Sequence, residues 1–155
     1  MSSEKSKVGY LEKWELPFSN KLCPSVSLII PPDDFNRVKV VVMPQGLNKY
    51  PGYIIDFKRA PYFSVLDETC APPPIPEWFD LLKAIPKSSA VIWHDSPLIK
   101  LYDGVGSYRE AMTREIKLKH YIILGGDSIV DVLAYDEPVV EKFTERQKFV
   151  MEHSF

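Results

Sequence analysis

Four short runs rich in β-branched and aromatic residues occupy the first half of the chain and predict β-strands. These runs cover residues 25–30, 38–43, 53–57 and 62–66. The segments between them are short and contain turn-forming residues, which lets strands that follow one another in sequence pair with one another. The pattern therefore predicts an antiparallel meander of four strands.

The second half mixes helical and strand-like patterns. Residues 90–93 predict a buried strand, and two apolar runs around Gly125 and Gly126 predict a β-hairpin over 120–134. Apolar positions at helical spacing, together with capping residues, predict four helices. The first three cover residues 77–85, a short stretch from Asp95-Ser96-Pro97 through Tyr102, and residues 108–117. The fourth is a C-terminal helix with Asp136 as its cap and Pro138 in its first turn, and one stripe of it contains Val139, Val140, Phe143, Gln147 and Val150. We expect an α+β fold, with an antiparallel sheet in the N-terminal half and helices and a β-hairpin in the C-terminal half.

The length of 155 residues is that of one domain, and we expect residues 1–155 to form a single one. Residues 1–8 are small and charged and predict a frayed terminus. Residues 71–76 contain four prolines, which indicates a stiff internal connection; the alternative is a ligand for an aromatic groove on another protein.

Charge and composition narrow the classes of partner and compartment. The formal net charge is −2, which gives no electrostatic reason to expect binding to nucleic acid. No apolar run is long enough to span a bilayer, so we expect no membrane insertion. Cys23 and Cys70 are far apart, and the first residues lack the apolar run of a secretory signal, which favours a cytoplasmic protein.

Sequence motifs for cofactor chemistry are missing. The glycines form no phosphate-binding loop, and the sequence has no GxSxG elbow, no HExxH and no zinc-finger spacing. We expect no cofactor and no metal.

Two histidine–aspartate combinations are the candidate catalytic residues. His94 and Asp95 follow a predicted strand, at a place where side chains often project into a cleft. His120 and Asp131 share one face of the predicted hairpin. Asp131 lies directly opposite His120 if Gly125-Gly126 is the loop, and one pair away if Gly126-Asp127 is the loop. Such a pair is half of a general-base arrangement, or a polar contact that fixes the register of the sheet.

Candidate binding residues flank a glycine-containing break at 103–107. They are Tyr102, Tyr108, Arg109 and Arg114. Tyrosine and arginine dominate the energetic centres of protein interfaces, so this segment predicts contact with another protein.

Three functions remain open on the sequence alone. The first is a non-catalytic protein-binding module. It is similar to small immunity or antitoxin proteins in size, acidity, α+β mixture and missing catalytic motifs, with no shared residues to carry that likeness. The second is a small hydrolase or transferase that uses the His/Asp residues. The third is a regulator that binds a small ligand in an aromatic cleft. We favour the first, because each class of catalysis needs convergent groups that the sequence does not display.

Overall fold

Nine strands and one short helix account for the regular structure of the described residues in the computed structural model. The structure describes residues 9–22, 24–32, 36–46, 49–67, 88–103, 118–126 and 128–144. The strands are β1 (Tyr10–Lys13), β2 (Ser25–Ile29), β3 (Val38–Met43), β4 (Gly52–Phe57), β5 (Tyr62–Asp67), β6 (Ala90–His94), β7 (Lys119–Leu124), β8 (Ser128–Ala134) and β9 (Val139–Phe143). The helix is α1 (Pro97–Asp103).

The strands form two antiparallel sheets. The five-stranded sheet has the order β1-β6-β7-β8-β5, and the four-stranded sheet has the order β2-β3-β4-β9. A single buried apolar cluster contains side chains from both sheets, so the sheets pack face to face. The Phe57 and Tyr121 rings, one from each sheet, lie 5.3 Å apart between centroids and mark this contact.

Alternation along the strands explains which residues fill the core between the sheets. In β3, Val38, Val40 and Val42 enter the shared core, whereas Val41 and Met43 belong to a separate cluster on the outer face of the same sheet. All six residues of β3 are buried, which is the pattern of a strand covered on both faces. The outer face of the five-stranded sheet likewise carries its own buried cluster, which includes Val91, Trp93 and Ile122.

The predicted α+β class is wrong, since the described residues are mostly antiparallel β-sheet with one short helix. The predicted C-terminal helix is wrong over residues 139–143, which form strand β9 and pair with β4. Its later positions, which include Gln147 and Val150, lie outside the described residues. The supposed helical stripe is divided between the two faces of the sheet: Val140 packs on the shared core, and Phe143 packs on the outer cluster. Residues three apart in a strand point to opposite faces. Because both faces of this sheet carry an apolar cluster, apolar residues at that spacing are also compatible with a strand.

The predicted four-strand meander is correct only for its first three strands. Strands β2, β3 and β4 pair in sequence, but β5 pairs with β8 in the other sheet. The segment 58–61 connects the two sheets, and its backbone forms hydrogen bonds with two other segments of the chain. The N–H of Ala60 donates to the Asn36 carbonyl, and the Arg59 carbonyl accepts from the Tyr135 N–H.

Other predictions about local structure have mixed outcomes. The strand at 90–93, the helix that begins after Ser96 and the hairpin over 120–134 are all confirmed. Strand β1 was not predicted. The predicted frayed terminus 1–8, the connection 71–76 and the helices 77–85 and 108–117 lie outside the described residues.

Candidate functional site

The predicted proximity of His120 and Asp131 is confirmed. The β7–β8 register pairs His120 with Leu133 and Ile122 with Asp131, which is the register expected for a Gly126-Asp127 loop. Asp131 therefore lies diagonally across from His120 on the same face. The imidazole Nε2 lies 2.6 Å from Asp131 Oδ1, a distance at which the N–H donates to the carboxylate.

Ser96 completes this group from a different part of the chain. Its hydroxyl oxygen lies 2.8 Å from Nδ1 of His120. The same oxygen accepts a hydrogen bond from the Ile99 N–H at 3.2 Å, so Ser96 caps the first turn of α1. Strand β6 brings the serine here, because Trp93 pairs with His120 across β6 and β7 and the cap follows three residues later. The sequence predicted the cap but not its contact with the histidine.

One arrangement of protons satisfies the hydrogen bonds of this Ser96–His120–Asp131 cluster. A carboxylate only accepts, so Nε2 of His120 carries a hydrogen. The Ser96 hydroxyl then donates to Nδ1 while its oxygen accepts from Ile99. In this arrangement Nε2 of His120 donates to Asp131, and Nδ1 accepts from Ser96. The arrangement couples the start of α1 to the hairpin.

Burial limits what the Ser96–His120–Asp131 cluster can do chemically. Ser96 is 0% exposed and His120 is 1% exposed. The Trp93 ring stacks on the imidazole with centroids 5.5 Å apart. A nucleophile or general base must reach a substrate atom at hydrogen-bonding distance, and these groups are sealed from solvent. The geometry is that of a structural polar network on the outer face of the five-stranded sheet.

His94 lies on the opposite face from His120 and does not join the cluster. Its neighbour Trp93 shares the face of His120, so strand alternation turns His94 the other way. Its Nε2 lies 3.1 Å from Glu12 Oε1, and its ring stacks on Tyr10 with centroids 4.6 Å apart. The two candidate histidines therefore do not converge, and the enzyme hypothesis loses the shared site on which it depended.

The turn after His94 is tightly constrained. Asp95, another candidate catalytic residue, is exposed and has a φ of 54°, in the left-handed region that non-glycine residues seldom occupy. Gly9 has a φ of 68°, and a Cβ at that position would lie 1.9 Å from the His94 carbonyl oxygen. The entry to β1 thus packs directly on this turn.

Tyr121 places a polar group in the core between the sheets. It is 2% exposed, and its hydroxyl has no hydrogen-bond partner among the residues that the structure describes. Burial, with smaller contributions from Glu137 and Asp136, raises the pKa of Tyr121 to about 12. The Trp14 ring lies 4.8 Å away between centroids. The hydroxyl is a cost to stability that the surrounding aromatic packing offsets.

The predicted binding residues are only partly placed. The backbone of Tyr102 lies in α1, and Tyr108, Arg109 and Arg114 fall outside the described residues. The structure instead exposes large apolar side chains elsewhere. They are Tyr10, Leu22, Ile30, Val65, Leu101 and Val139, and their exposed fractions range from 46% to 67%.

Neither a metal site nor a membrane-spanning helix in the described residues, nor a similar protein, was found that would assign a function. Within the described ranges, no group of three or more His, Cys, Asp or Glu side chains could hold a metal ion. No helix in the part of the chain that the structure describes is long and apolar enough to cross a membrane. The chain matches no protein-family model, and searches of curated proteins and of solved structures found no significant match.

Proposed function

We propose that this chain is a non-catalytic protein-binding module, and that it contacts its partner through the surface formed by Tyr10, Glu12 and His94, here called the Tyr10 surface. The observation that carries the proposal is the exposed, stacked Tyr10–His94 pair at the edge of the five-stranded sheet. Tyr10 is 57% exposed, and the ring planes meet at 20°. Tyrosine is among the residues most often found at energetic centres of interfaces.

Preorganisation supports this assignment. The His94 ring is fixed on one side by Tyr10 and at Nε2 by Glu12, so little side-chain entropy remains to be lost when a partner covers the pair. The Glu12 side chain is 59% exposed, which leaves its carboxylate accessible to a cation. The partner site that fits is an apolar recess for the Tyr10 ring with a basic side chain at its rim.

The state of the other candidate residues also favours binding over catalysis. Among the described residues, Ser96 and His120 are buried and the Asp131 side chain is 16% exposed. Each ring nitrogen of the histidine has a partner. His94 is accessible, but it lies on the other face of the sheet. Neutralisation of a partner by covering its surface, as in immunity or antitoxin proteins, is the specific form of the proposal.

The test is a photo-crosslinking residue placed at Tyr10 in the native host, with the same residue at Val65 as a matched control. Val65 is 53% exposed on β5, at the far edge of the same sheet. Products of neighbouring genes are the first partners to examine. The protein recovered at Tyr10 is then purified, and its affinity is measured by calorimetry.

We expect Tyr10→Ala to weaken that affinity about 30-fold or more, as for an interface centre worth about 2 kcal/mol, and Val65→Ala to leave it unchanged. Tyr10→Phe, which keeps the ring, should retain most of the affinity. The proposal is wrong if Tyr10 gives no adduct beyond that of Val65, or if Tyr10→Ala binds as wild type. It is also wrong if His94→Ala abolishes turnover of a substrate while partner binding stays intact.

A further inference from the structure

Strand β2 forms one edge of the four-stranded sheet. It pairs with β3 in a continuous register from Ser25–Met43 to Ile29–Lys39. Within the part of the chain that the structure describes, no strand pairs with its other side. Backbone groups along an open edge can pair with another strand, so proteins usually protect such edges with charges, prolines or bulges.

The edge at β2 lacks charged protection. Residues 22–32 read LCPSVSLIIPP, eleven consecutive positions without a charged side chain. Among the described strands, the other three at sheet edges each carry charge within the strand. These charges are Glu12 and Lys13 in β1, Asp67 in β5, and Glu141 and Lys142 in β9. Prolines flank β2 at both ends but do not interrupt it, so its five residues remain regular.

The sequence of β2 is self-complementary in antiparallel pairing. We propose that β2 pairs with β2 of a second copy of this chain around a two-fold axis at Ser27, which joins the two four-stranded sheets into one. In that register Ser27 lies opposite its own copy, Val26 lies opposite Leu28, and Ser25 lies opposite Ile29. Opposed residues of an antiparallel pair share a face, so apolar Val26 and Leu28 meet on the core side.

The faces of β2 agree with this pairing. Val26 and Leu28 pack against the core between the sheets, and Ile29 packs against the outer cluster. An isologous contact of this kind extends both apolar layers across the interface. Leu22 and Ile30, each 49% exposed, lie just outside the two ends of the strand and become covered where the second copy continues past β2.

Charge at the ends of the stretch favours the antiparallel orientation. Ser27 is the midpoint of the uncharged residues 22–32, and the sequence bounds them with Lys21 on one side and Asp33 on the other. Antiparallel pairing about Ser27 brings the basic end of one stretch towards the acidic end of the other. Parallel pairing would bring like charges together at each end, which is unfavourable.

The first experiment is a charge-swap series followed by analytical ultracentrifugation. We expect the wild type to be a dimer. Ser27→Lys and Ser27→Glu each place two like charges opposite each other at the axis and should weaken the dimer by roughly tenfold or more. An equimolar mixture of the two variants should restore a dimer. Val65→Lys adds the same charge to an edge of the other sheet and should leave the dimer as in the wild type.

A crosslink tests the register without relying on a weakened variant. In a background with Cys23→Ser and Cys70→Ser, Ser27→Cys should form a disulfide-linked dimer on mild oxidation. Opposed residues of an antiparallel pair lie about 4.5–5.5 Å apart between Cα atoms, within the range that a disulfide spans. Val65→Cys in the same background is the control and should remain uncrosslinked.

Several results would overturn the proposal. A wild-type protein that is monomeric across the accessible concentration range excludes this dimer. A dimer that persists in both charge variants, or that fails only in Val65→Lys, uses another surface. If circular dichroism shows that a charge variant is unfolded, the crosslink decides, and its absence at Ser27 contradicts the register. None of these outcomes bears on the Tyr10 surface, whose test is separate.

Discussion

Replacing Ser96 with alanine tests the Ser96–His120–Asp131 cluster directly, because the hydroxyl has two functions. It caps the first turn of α1 through the Ile99 N–H, and it is the partner of Nδ1 in a histidine that is 1% exposed. Loss of a serine cap costs about 1 kcal/mol. Leaving a buried acceptor unpaired costs about 1–3 kcal/mol more. We therefore expect Ser96→Ala to lower the free energy of unfolding by about 2–4 kcal/mol.

Urea denaturation followed by circular dichroism measures this change, and Thr144→Ala, an exposed hydroxyl, serves as the control. Thermal unfolding should report the same loss as a fall in Tm of roughly 4–16 °C for Ser96→Ala. The control should stay within about 0.5 kcal/mol of wild type.

A double-mutant cycle separates the two functions of the hydroxyl. In a His120→Leu background, Ser96→Ala should cost only the capping contribution of about 1 kcal/mol, because the acceptor has been removed. A single Ser96→Ala variant within 0.5 kcal/mol of wild type would refute both functions. An unchanged cost in the His120→Leu background would show that the serine acts on the helix alone.

Four further predictions concern the cluster and its surroundings. Long-range ¹H–¹⁵N spectra at neutral pH should show His120 protonated on Nε2, and a proton found on Nδ1 would contradict the proposed direction of the hydrogen bonds. Tyr121→Phe should unfold at an equal or higher urea midpoint, because it removes a buried hydroxyl without a described partner. Folding raises the pKa of Tyr121 from 10.0 to about 12, so the hydroxyl loses its proton at a lower pH in the unfolded chain than in the folded protein. The free energy of unfolding of the wild type should therefore fall more steeply above pH 10 than that of Tyr121→Phe. Gly9→Ala should lower Tm markedly, because its Cβ would lie 1.9 Å from the His94 carbonyl oxygen at a φ of 68°; a Tm equal to that of wild type would show that β1 does not dock on this turn.

Short-range patterns predicted strands β2 to β8, but they missed β1 and predicted a helix where β9 lies. Strands β2, β3 and β4 were predictable because β-branched runs separated by short turns leave few alternatives to sequential pairing. Strand β9 was not, because Val139, Val140 and Phe143 also fit one face of a helix. What decides between the two is the free edge of β4, which supplies backbone partners for β9. That edge is a property of the folded sheet and has no signal in the sequence near 139–143.

The sheet to which a strand belongs was a second limit. Residues 62–66 were recognised as a strand, but their partner is β8, more than sixty positions away in the sequence. A short connection such as 58–61 is compatible either with a hairpin to β4 or with a corner that leads to another sheet. The choice depends on the Ala60–Asn36 and Tyr135–Arg59 backbone hydrogen bonds, which join segments that are distant in sequence.

The candidate site shows the same division between local and long-range information. His120 and Asp131 could be paired from the sequence because a single hairpin fixes their relative positions. Ser96 could not be added, because its contact with His120 depends on the pairing of β6 with β7. The two residues are 24 positions apart, so no local sequence pattern indicates that they are neighbours. The contact with Ser96 changes the role that can be assigned to His120. A His–Asp pair with one free nitrogen could act as a base. An imidazole that is hydrogen-bonded at both nitrogens and buried instead joins helix α1 to the hairpin, and the two binding surfaces proposed above lie at exposed edges of the sheets.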